Sequence, residues 1–215
     1  MADIEYHWTK TDPIRIDHIA SNLGFNLRNL DLSGISENQR VWIDNKIRNK
    51  ILSYLDECWE YDEDRFTKLS EVNQGIYVIT LADNLSIDYD GKPSPVIYIG
   101  RGQIRTRLYH HFTNWIKYFS DSLQGISFYL WMTEIKVKGS KKAFCEVESD
   151  LLDYFYNKYQ TWPMQNNQAG NCHEKYHEYC DEWNLPLRNP TNIQEGWCIR
   201  PLTNNWWSKE VAEYV

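Results

Sequence analysis

The chain has 215 residues, of which 42% are hydrophobic, and a formal net charge of −7 at neutral pH. This composition is typical of a globular protein and excludes a collagen-like, coiled-coil or disordered chain. The sequence holds no apolar run of about eighteen residues, the length that a membrane span needs, and it begins with the charged segment MADIEYHWTK. We therefore expect a cytoplasmic protein without membrane association, and the five scattered cysteines agree with a reducing compartment.

The negative charge lies in the flanks of the chain. Residues 1–70 sum to −4 (9 basic, 13 acidic) and residues 172–215 to −3 (4 basic, 7 acidic), whereas residues 71–171 carry 10 of each sign. The net acidity argues against a nucleic-acid partner. The neutral segment nevertheless contains local basic clusters, so binding of nucleic acid there stays an open alternative. They are Arg101, Arg105 and Arg107, and Lys136, Lys138, Lys141 and Lys142.

Three parts follow one another along the chain. Apolar residues at helical spacing predict a helix over 37–59 within a helical N-terminal extension, residues 1–70. In the central part, residues 71–171, the β-branched and aromatic runs GIYVITL (75–81) and PVIYIG (95–100) predict a hairpin.

The rest of the central part alternates between helix and strand. The patterns predict a helix over 104–119, an extended segment over 126–137 and a helix over 140–159, followed by loop chemistry from Pro163 onward. The Trp-rich C-terminal extension, residues 172–215, is predicted to be irregular and to pack on the core, with a short helix over 174–183.

Several polar residues take defined positions on these elements. Strand alternation sets Tyr77 opposite its apolar neighbours and sets Tyr98 on the face of Gly100. Arg107 and His111 are four residues apart, which gives them one face of a helix. The next helix carries the fifth residue of interest, Glu148, on an otherwise apolar stripe, where a charge is expected to have a partner.

These residues, in this order, resemble the GIY-YIG nuclease family. The resemblance rests on the tripeptides Gly75-Ile76-Tyr77 and Tyr98-Ile99-Gly100, on Arg107, His111 and Glu148, and on the later Pro163-Met164-Gln165-Asn166. It covers about residues 73–170. Either tripeptide alone is a weak signal, and the ordered set is a strong one.

The resemblance implies an α+β fold with a small, mostly antiparallel three-stranded sheet flanked by helices, and one Mg²⁺ or Mn²⁺ ion without an organic cofactor. It implies six roles. Tyr77 is the phenol near the attacking water, Tyr98 the second tyrosine, Arg107 the cation beside the phosphate, His111 a proton-transfer or phosphate-contacting group, Glu148 the metal ligand and Asn166 a buttress. These roles suit phosphoryl transfer, because a guanidinium and a hard cation stabilise phosphate oxygens, and both are needed to lower the pKa of a tyrosine toward neutrality.

Three positions stay open within this pattern. Glu146 competes with Glu148, Asn167 with Asn166, and His110 with His111, because each pair offers the same chemistry within two residues. The interval between the two tripeptides is also longer than is usual in the family. We expect its segment SIDYDGKPSP (86–95) to form an extra loop.

The C-terminal extension carries two further candidates. Cys172, His173, His177 and Cys180 provide zinc-ligand chemistry, but their spacing fits no established zinc module, and a polar helix with half-buried thiols is the favoured interpretation. Tryptophans of this part could stack on bases, although packing on the core is favoured. They are Trp197, Trp206 and Trp207.

The functional hypothesis is a metal-dependent DNA endonuclease, most simply a restriction-type enzyme. One active site cuts one strand, so a restriction role predicts a homodimer. The alternatives are a repair or recombination nuclease, an inactive DNA-binding protein on the same fold, and an adaptor whose acidic flanks bind a basic protein. An intact set of Tyr, Arg and Glu favours catalysis, because a binding module needs no metal carboxylate.

Overall fold

The structure is a computed structural model that describes residues 3–4, 6–25, 35–61, 67–82, 85–122, 125–137, 139–172, 177–188 and 197–199. Its strands are β1 (Asp3–Ile4), β2 (Thr9–Lys10), β3 (Gly75–Leu81), β4 (Leu85–Tyr89), β5 (Lys92–Ser94), β6 (Val96–Gly102), β7 (Phe128–Glu134), β8 (Glu178–Tyr179) and β9 (Trp197–Ile199). Its helices are α1 (Ile16–Asn22), α2 (Glu37–Glu60), α3 (Ile104–His111), α4 (Lys117–Ser122) and α5 (Ala143–Tyr159). No helix among the described residues is long and apolar enough to cross a bilayer.

The main sheet is antiparallel and has four strands in the order β2-β7-β3-β6. The predicted α+β class is thus confirmed, and β3, β6 and β7 are the three expected strands. The short β2 adds a fourth at the β7 edge. The central position of β3 agrees with its sequence, GIYVITL, whose seven residues are all buried, so that both faces of the strand are covered.

The segment predicted to be an extra loop, 86–95, instead lies mostly in a β-hairpin of β4 and β5. Its turn residues Asp90 and Gly91 both have positive φ, 53° and 82°, as the favoured two-residue hairpin turn requires. Tyr89 is buried and donates its hydroxyl to the Val96 carbonyl at 2.6 Å, so the hairpin is held on the core. The prediction was wrong because an Asp-Gly turn after a run of alternating apolar residues is itself a hairpin signal.

The predicted helices are present with shifted ends. The α2 helix starts at a capping box between Ser36 and Gln39, whose spacing fits the S-x-x-Q pattern. Residues 104–122 are helical, but Phe112–Ile116 forms a π turn between α3 and α4. The α5 helix begins at Ala143 rather than 140, because Ser140 pairs with Val137 in an isolated bridge.

The C-terminal extension contains a strand where a helix was expected. Of the predicted helix over 174–183, residues 177–183 are described, and they form β8 and a turn instead. The β8 strand pairs in parallel with β1. Tyr6 and Trp8 both donate side-chain hydrogen bonds to the Trp183 carbonyl, at 3.0 and 3.1 Å, so the two extensions contact each other.

Candidate active site

The two tripeptide motifs face each other across the β3–β6 pair. Tyr77 pairs directly with Gly100, and the rings of Tyr77 and Tyr98 lie 5.8 Å apart between centroids. A Cβ atom on Gly100 would lie 2.4 Å from Cε1 of Tyr98 and 2.6 Å from the hydroxyl of Tyr77. Gly100 is therefore required sterically, because its missing side chain makes the space that both phenols occupy.

We expect Gly100→Ala to displace both tyrosines. Under the nuclease hypothesis this lowers cleavage of nucleic acid by about 10²-fold, the usual cost of misplacing a reacting group by an ångström. A matched control is Gly91→Ala, where φ of 82° strains an alanine but no atom lies within 4 Å of the new Cβ. That control is expected to unfold more easily and still cleave. Equal cleavage by both variants would contradict the steric role of Gly100.

The α3 helix brings Arg107 and His111 to these phenols. It follows β6 directly and is capped by Gln103, whose side-chain oxygen accepts the Thr106 N–H at 2.7 Å. Arg107 lies close enough to both tyrosines for its positive charge to act on their hydroxyls. His111 Nε2 lies 2.7 Å from the Tyr77 hydroxyl.

His110, the competing histidine, is exposed and packs its ring on Tyr109 instead. Side chains 100° apart around a helix cannot both face the sheet. His111 therefore occupies the position next to Tyr77.

Burial and neighbouring charges set the protonation states of Tyr77, His111 and Arg107. Burial raises the pKa of Tyr77 well above its usual value, with a further increase from Tyr98, and Arg107 offsets only part of this. Burial also lowers the pKa of His111 to about 4, helped by Arg107 and His110. At neutral pH the imidazole is thus neutral and Tyr77 keeps its proton, while Arg107 carries a positive charge, as guanidinium groups do throughout proteins.

The two candidate glutamates point to opposite sides of α5, since residues two apart on a helix are about 200° apart. Glu148 faces the tyrosines' side, and its Oε2 lies 3.3 Å from Nη1 of Arg101. Burial raises the pKa of Glu148, while Arg101 and then Arg107 act to lower it. Glu146 is buried on the other side, where its Oε2 lies 2.5 Å from Nε2 of His177.

Asn166 completes the edge of the sheet at β6. Its Oδ1 accepts the Ile99 N–H at 2.9 Å and its Nδ2 donates to the Ile99 carbonyl at 2.8 Å. The Gln165 N–H donates to the Ile97 carbonyl at 3.0 Å. The loop after α5 therefore pairs with an edge strand as a further strand would, and it fixes the backbone between Tyr98 and Gly100.

An open, polar cleft of about 560 Å³ lies where these elements meet. Four predicted site residues line it: Tyr98, Arg107, Glu148 and Asn166. The competing Asn167 lines it as well, without the bonds to β6. Tyr77 is fully buried, and both it and His111 lie behind the lining, in contact with Tyr98.

Sequence reasoning missed part of this site. Arg101 pairs with Glu148 and donates to the carbonyl of Cys145 and the side chain of Asn171, at 3.3 and 3.2 Å. Trp115 donates its indole N–H to Nδ1 of His111 at 2.8 Å. The position of Arg101 directly after the YIG tripeptide and the i, i+4 spacing of His111 and Trp115 were the available signals.

The lining offers oxygen ligands that fit a divalent cation. Glu148 is the one carboxylate among the lining residues that the structure describes, and side-chain amides of Gln165, Asn167 and Gln168 accompany it. Mg²⁺ and Mn²⁺ prefer such hard oxygen ligands, and Mg²⁺ commonly takes one carboxylate, several waters and substrate phosphate. The donor set suits one ion of this kind, held by Glu148.

The zinc candidates of the C-terminal extension have other partners. His177 bonds to Glu146, the Cys180 thiol points to the Tyr6 carbonyl at 3.6 Å, and the backbone N–H of Cys172 donates to Ser149. Across the described residues, no three His, Cys, Asp or Glu side chains come together in a metal-binding group. His173, Trp206 and Trp207 lie outside the described residues, and Trp197 belongs to β9.

Comparison of the chain with protein-family models, with curated proteins and with solved structures finds no match to any of them. The nuclease hypothesis is therefore carried by the motif residues and by the geometry of the cleft.

Proposed function

We propose that this protein is a metal-dependent endonuclease that hydrolyses phosphodiester bonds in DNA. The observation that carries the proposal is the cleft itself, where a guanidinium, a phenol and a partly buried carboxylate, from Arg107, Tyr98 and Glu148, line one open polar space. A phosphodiester is the substrate that uses the guanidinium, the phenol and the carboxylate together. Its oxygens bind a cation and hydrogen-bond donors on one side and a metal ion on the other.

In this proposal Arg107 contacts the non-bridging oxygens of the scissile phosphate, where charge grows in the transition state. Its positive charge acts on both phenols, and its side chain lines the open cleft that substrate would enter. Tyr98 lines the cleft and orients the attacking water, while the buried Tyr77 supports Arg107 from behind. This changes the expectation from the sequence, in which Tyr77 was the phenol at the water.

Glu148 would hold the divalent ion, which supplies Lewis-acid stabilisation of the phosphate and lowers the pKa of bound water. Arg101 lies on Oε2 of the carboxylate and keeps it oriented toward the cleft. In the reaction, the water oxygen bonds to phosphorus and the ester P–O bond breaks. The leaving oxygen ends as a hydroxyl, and the second proton of the attacking water passes to solvent.

A second open cleft, of about 590 Å³, offers a path for the rest of the nucleic-acid backbone. It is lined by Gln74, Lys136 and Lys141, among others, and lies at the same end of the sheet as the first cleft, because Gly75 pairs with both Gly102 and Glu134. Lysines there can bind phosphates without reading sequence. Lys136 is already paired with Glu134 at 2.8 Å, so part of the positive charge at this cleft is neutralised.

The test is cleavage of supercoiled plasmid, branched DNA and RNA with Mg²⁺, Mn²⁺ or EDTA. We expect metal-dependent cleavage of DNA, with Arg107→Ala slower by about 10²–10³-fold, the usual cost of a lost oxyanion donor. Arg105→Ala is the matched control, because Arg105 lies two residues away and pairs with Asp56 at 3.0 Å. A half-exposed pair of this kind contributes little to stability, so this variant should cleave normally.

The products also separate the nuclease classes. Discrete plasmid fragments support a restriction-type enzyme, and linear product formed without a nicked intermediate indicates two active sites acting together. Preference for branched DNA supports a repair or recombination nuclease. Metal-independent cleavage, or equal loss in Arg107→Ala and Arg105→Ala, contradicts the proposed site.

A further inference from the structure

Trp115 makes a polar contact that the proposed chemistry has not used. Its indole N–H donates to Nδ1 of His111 at 2.8 Å, and the two rings lie 5.7 Å apart in an edge arrangement. On its other side His111 places Nε2 2.7 Å from the Tyr77 hydroxyl. Trp115, His111 and Tyr77 thus form a continuous chain of hydrogen bonds from the helix into the sheet.

Trp115 lies in the π turn that begins directly after His111. A π turn is rare, costs regular helix geometry and occurs frequently at functional sites. Here the π turn interrupts the helix at Trp115, whose indole bonds to the imidazole of His111 one turn earlier. The irregular backbone and the polar contact therefore coincide.

The chemistry of the indole decides the protonation of both imidazole nitrogens. An indole nitrogen can only donate a hydrogen bond, so Nδ1 of His111 has to be the acceptor and carries no proton. Burial keeps the imidazole neutral at physiological pH by lowering its pKa. A neutral imidazole has one N–H, which is then on Nε2 and directed to Tyr77.

We infer that Trp115 is a positioning residue that holds His111 in its Nε2–H tautomer, so that His111 donates a hydrogen bond to the oxygen of Tyr77. The Tyr77 oxygen then accepts from His111 and also faces the Arg107 guanidinium. Both partners favour negative charge on that oxygen. His111 is accordingly a donor to the phenol and not the base that removes its proton, which is a narrower role than the sequence suggested.

Nuclear magnetic resonance tests the tautomer directly, without activity. In protein labelled with ¹⁵N at histidine, His111 of the wild type should show a protonated Nε2 and an unprotonated Nδ1 at neutral pH. In Trp115→Phe, which keeps an aromatic ring and removes the N–H, the resonances should move toward a mixture of tautomers. A protonated Nδ1 in the wild type, or unchanged resonances in the variant, would overturn the inference.

Activity gives the second readout, and only this part rests on the proposed function. We expect Trp115→Phe to lower kcat by about 10–100-fold, the range typical for loss of an orienting partner, with KM nearly unchanged. The matched control is Trp131→Phe, because Trp131 is also half-buried and donates its indole N–H, to Thr80 at 3.3 Å, away from His111.

The two measurements distinguish failure of the proposed function from failure of the inference about Trp115. If the wild type cuts no nucleic acid, the proposed function fails, and the resonance measurement still decides the tautomer. If Trp115→Phe and Trp131→Phe lose equal activity while the His111 tautomer is intact, Trp115 acts through packing and the inference is wrong.

Discussion

Replacing Glu148 by glutamine is expected to lower metal-dependent cleavage by about 10³-fold or more. The amide keeps the size of the side chain but removes the charge. Under the proposed function, the cation that would supply several kcal/mol of transition-state stabilisation would then no longer be held. Folding should change little, because burial opposes the charge of Glu148 and raises its pKa. The measurements are cleavage rates with Mg²⁺ and Mn²⁺, and Mn²⁺ binding followed by water proton relaxation.

Glu146→Gln is the matched control on the same helix. Glutamine keeps an acceptor for His177 and lies on the far side of α5 from the cleft, so this variant should bind Mn²⁺ and cleave DNA as the wild type does. If Glu146→Gln loses cleavage and Glu148→Gln retains it, the positions are reversed. If Glu148→Gln still binds Mn²⁺ with unchanged affinity, the metal ligand lies elsewhere.

The second large effect is on stability. We expect His177→Ala to lower the free energy of unfolding by about 1–3 kcal/mol or more, the usual cost of leaving a buried hydrogen-bonding group without its partner. The Glu146 and His177 side chains are each only 2% exposed and lie 2.5 Å apart, so water cannot replace the lost imidazole. The measurement is urea unfolding at neutral pH, followed by tryptophan fluorescence and circular dichroism.

His18→Ala provides the comparison, because His18 is an exposed residue of α1 and its loss should change stability by no more than about 0.5 kcal/mol. His177 does not line the cleft, so folded His177→Ala should still cleave DNA at low temperature. An unfolding free energy equal to that of His18→Ala would show that the buried pair contributes little.

The sequence alone predicted those helices and strands that local residue patterns specify. The helical periodicity of α2 and α5 is a strong signal because burial of one face depends on residue spacing. The β-branched runs of β3 and β6 are strong because strands that are largely buried are rich in such residues. The ordered motif residues then indicated which side chains to examine. The Asp90-Gly91 turn is also a local signal, for a hairpin. The prediction missed it because these turn residues were assigned to a loop.

Contacts between distant segments required the tertiary structure. Glu146 and Glu148 offer the same chemistry, and partners from distant segments separate them. Glu146 meets His177, 31 residues away, and Glu148 meets Arg101 at the cleft. Asn166 is distinguished from Asn167 by its two bonds to Ile99, 67 residues away.

The C-terminal extension shows the same limit. Its HEKYHEYC segment has helical and zinc-like features, but at Glu178 and Tyr179 backbone pairing with β1 prevails. His177, within the same segment, meets a buried carboxylate on α5. Local sequence thus determined the three main strands, the principal helices and most of the chemically active residues. The tertiary structure decided which of them face the cleft, because a buried polar group is stable only where a partner from another segment meets it.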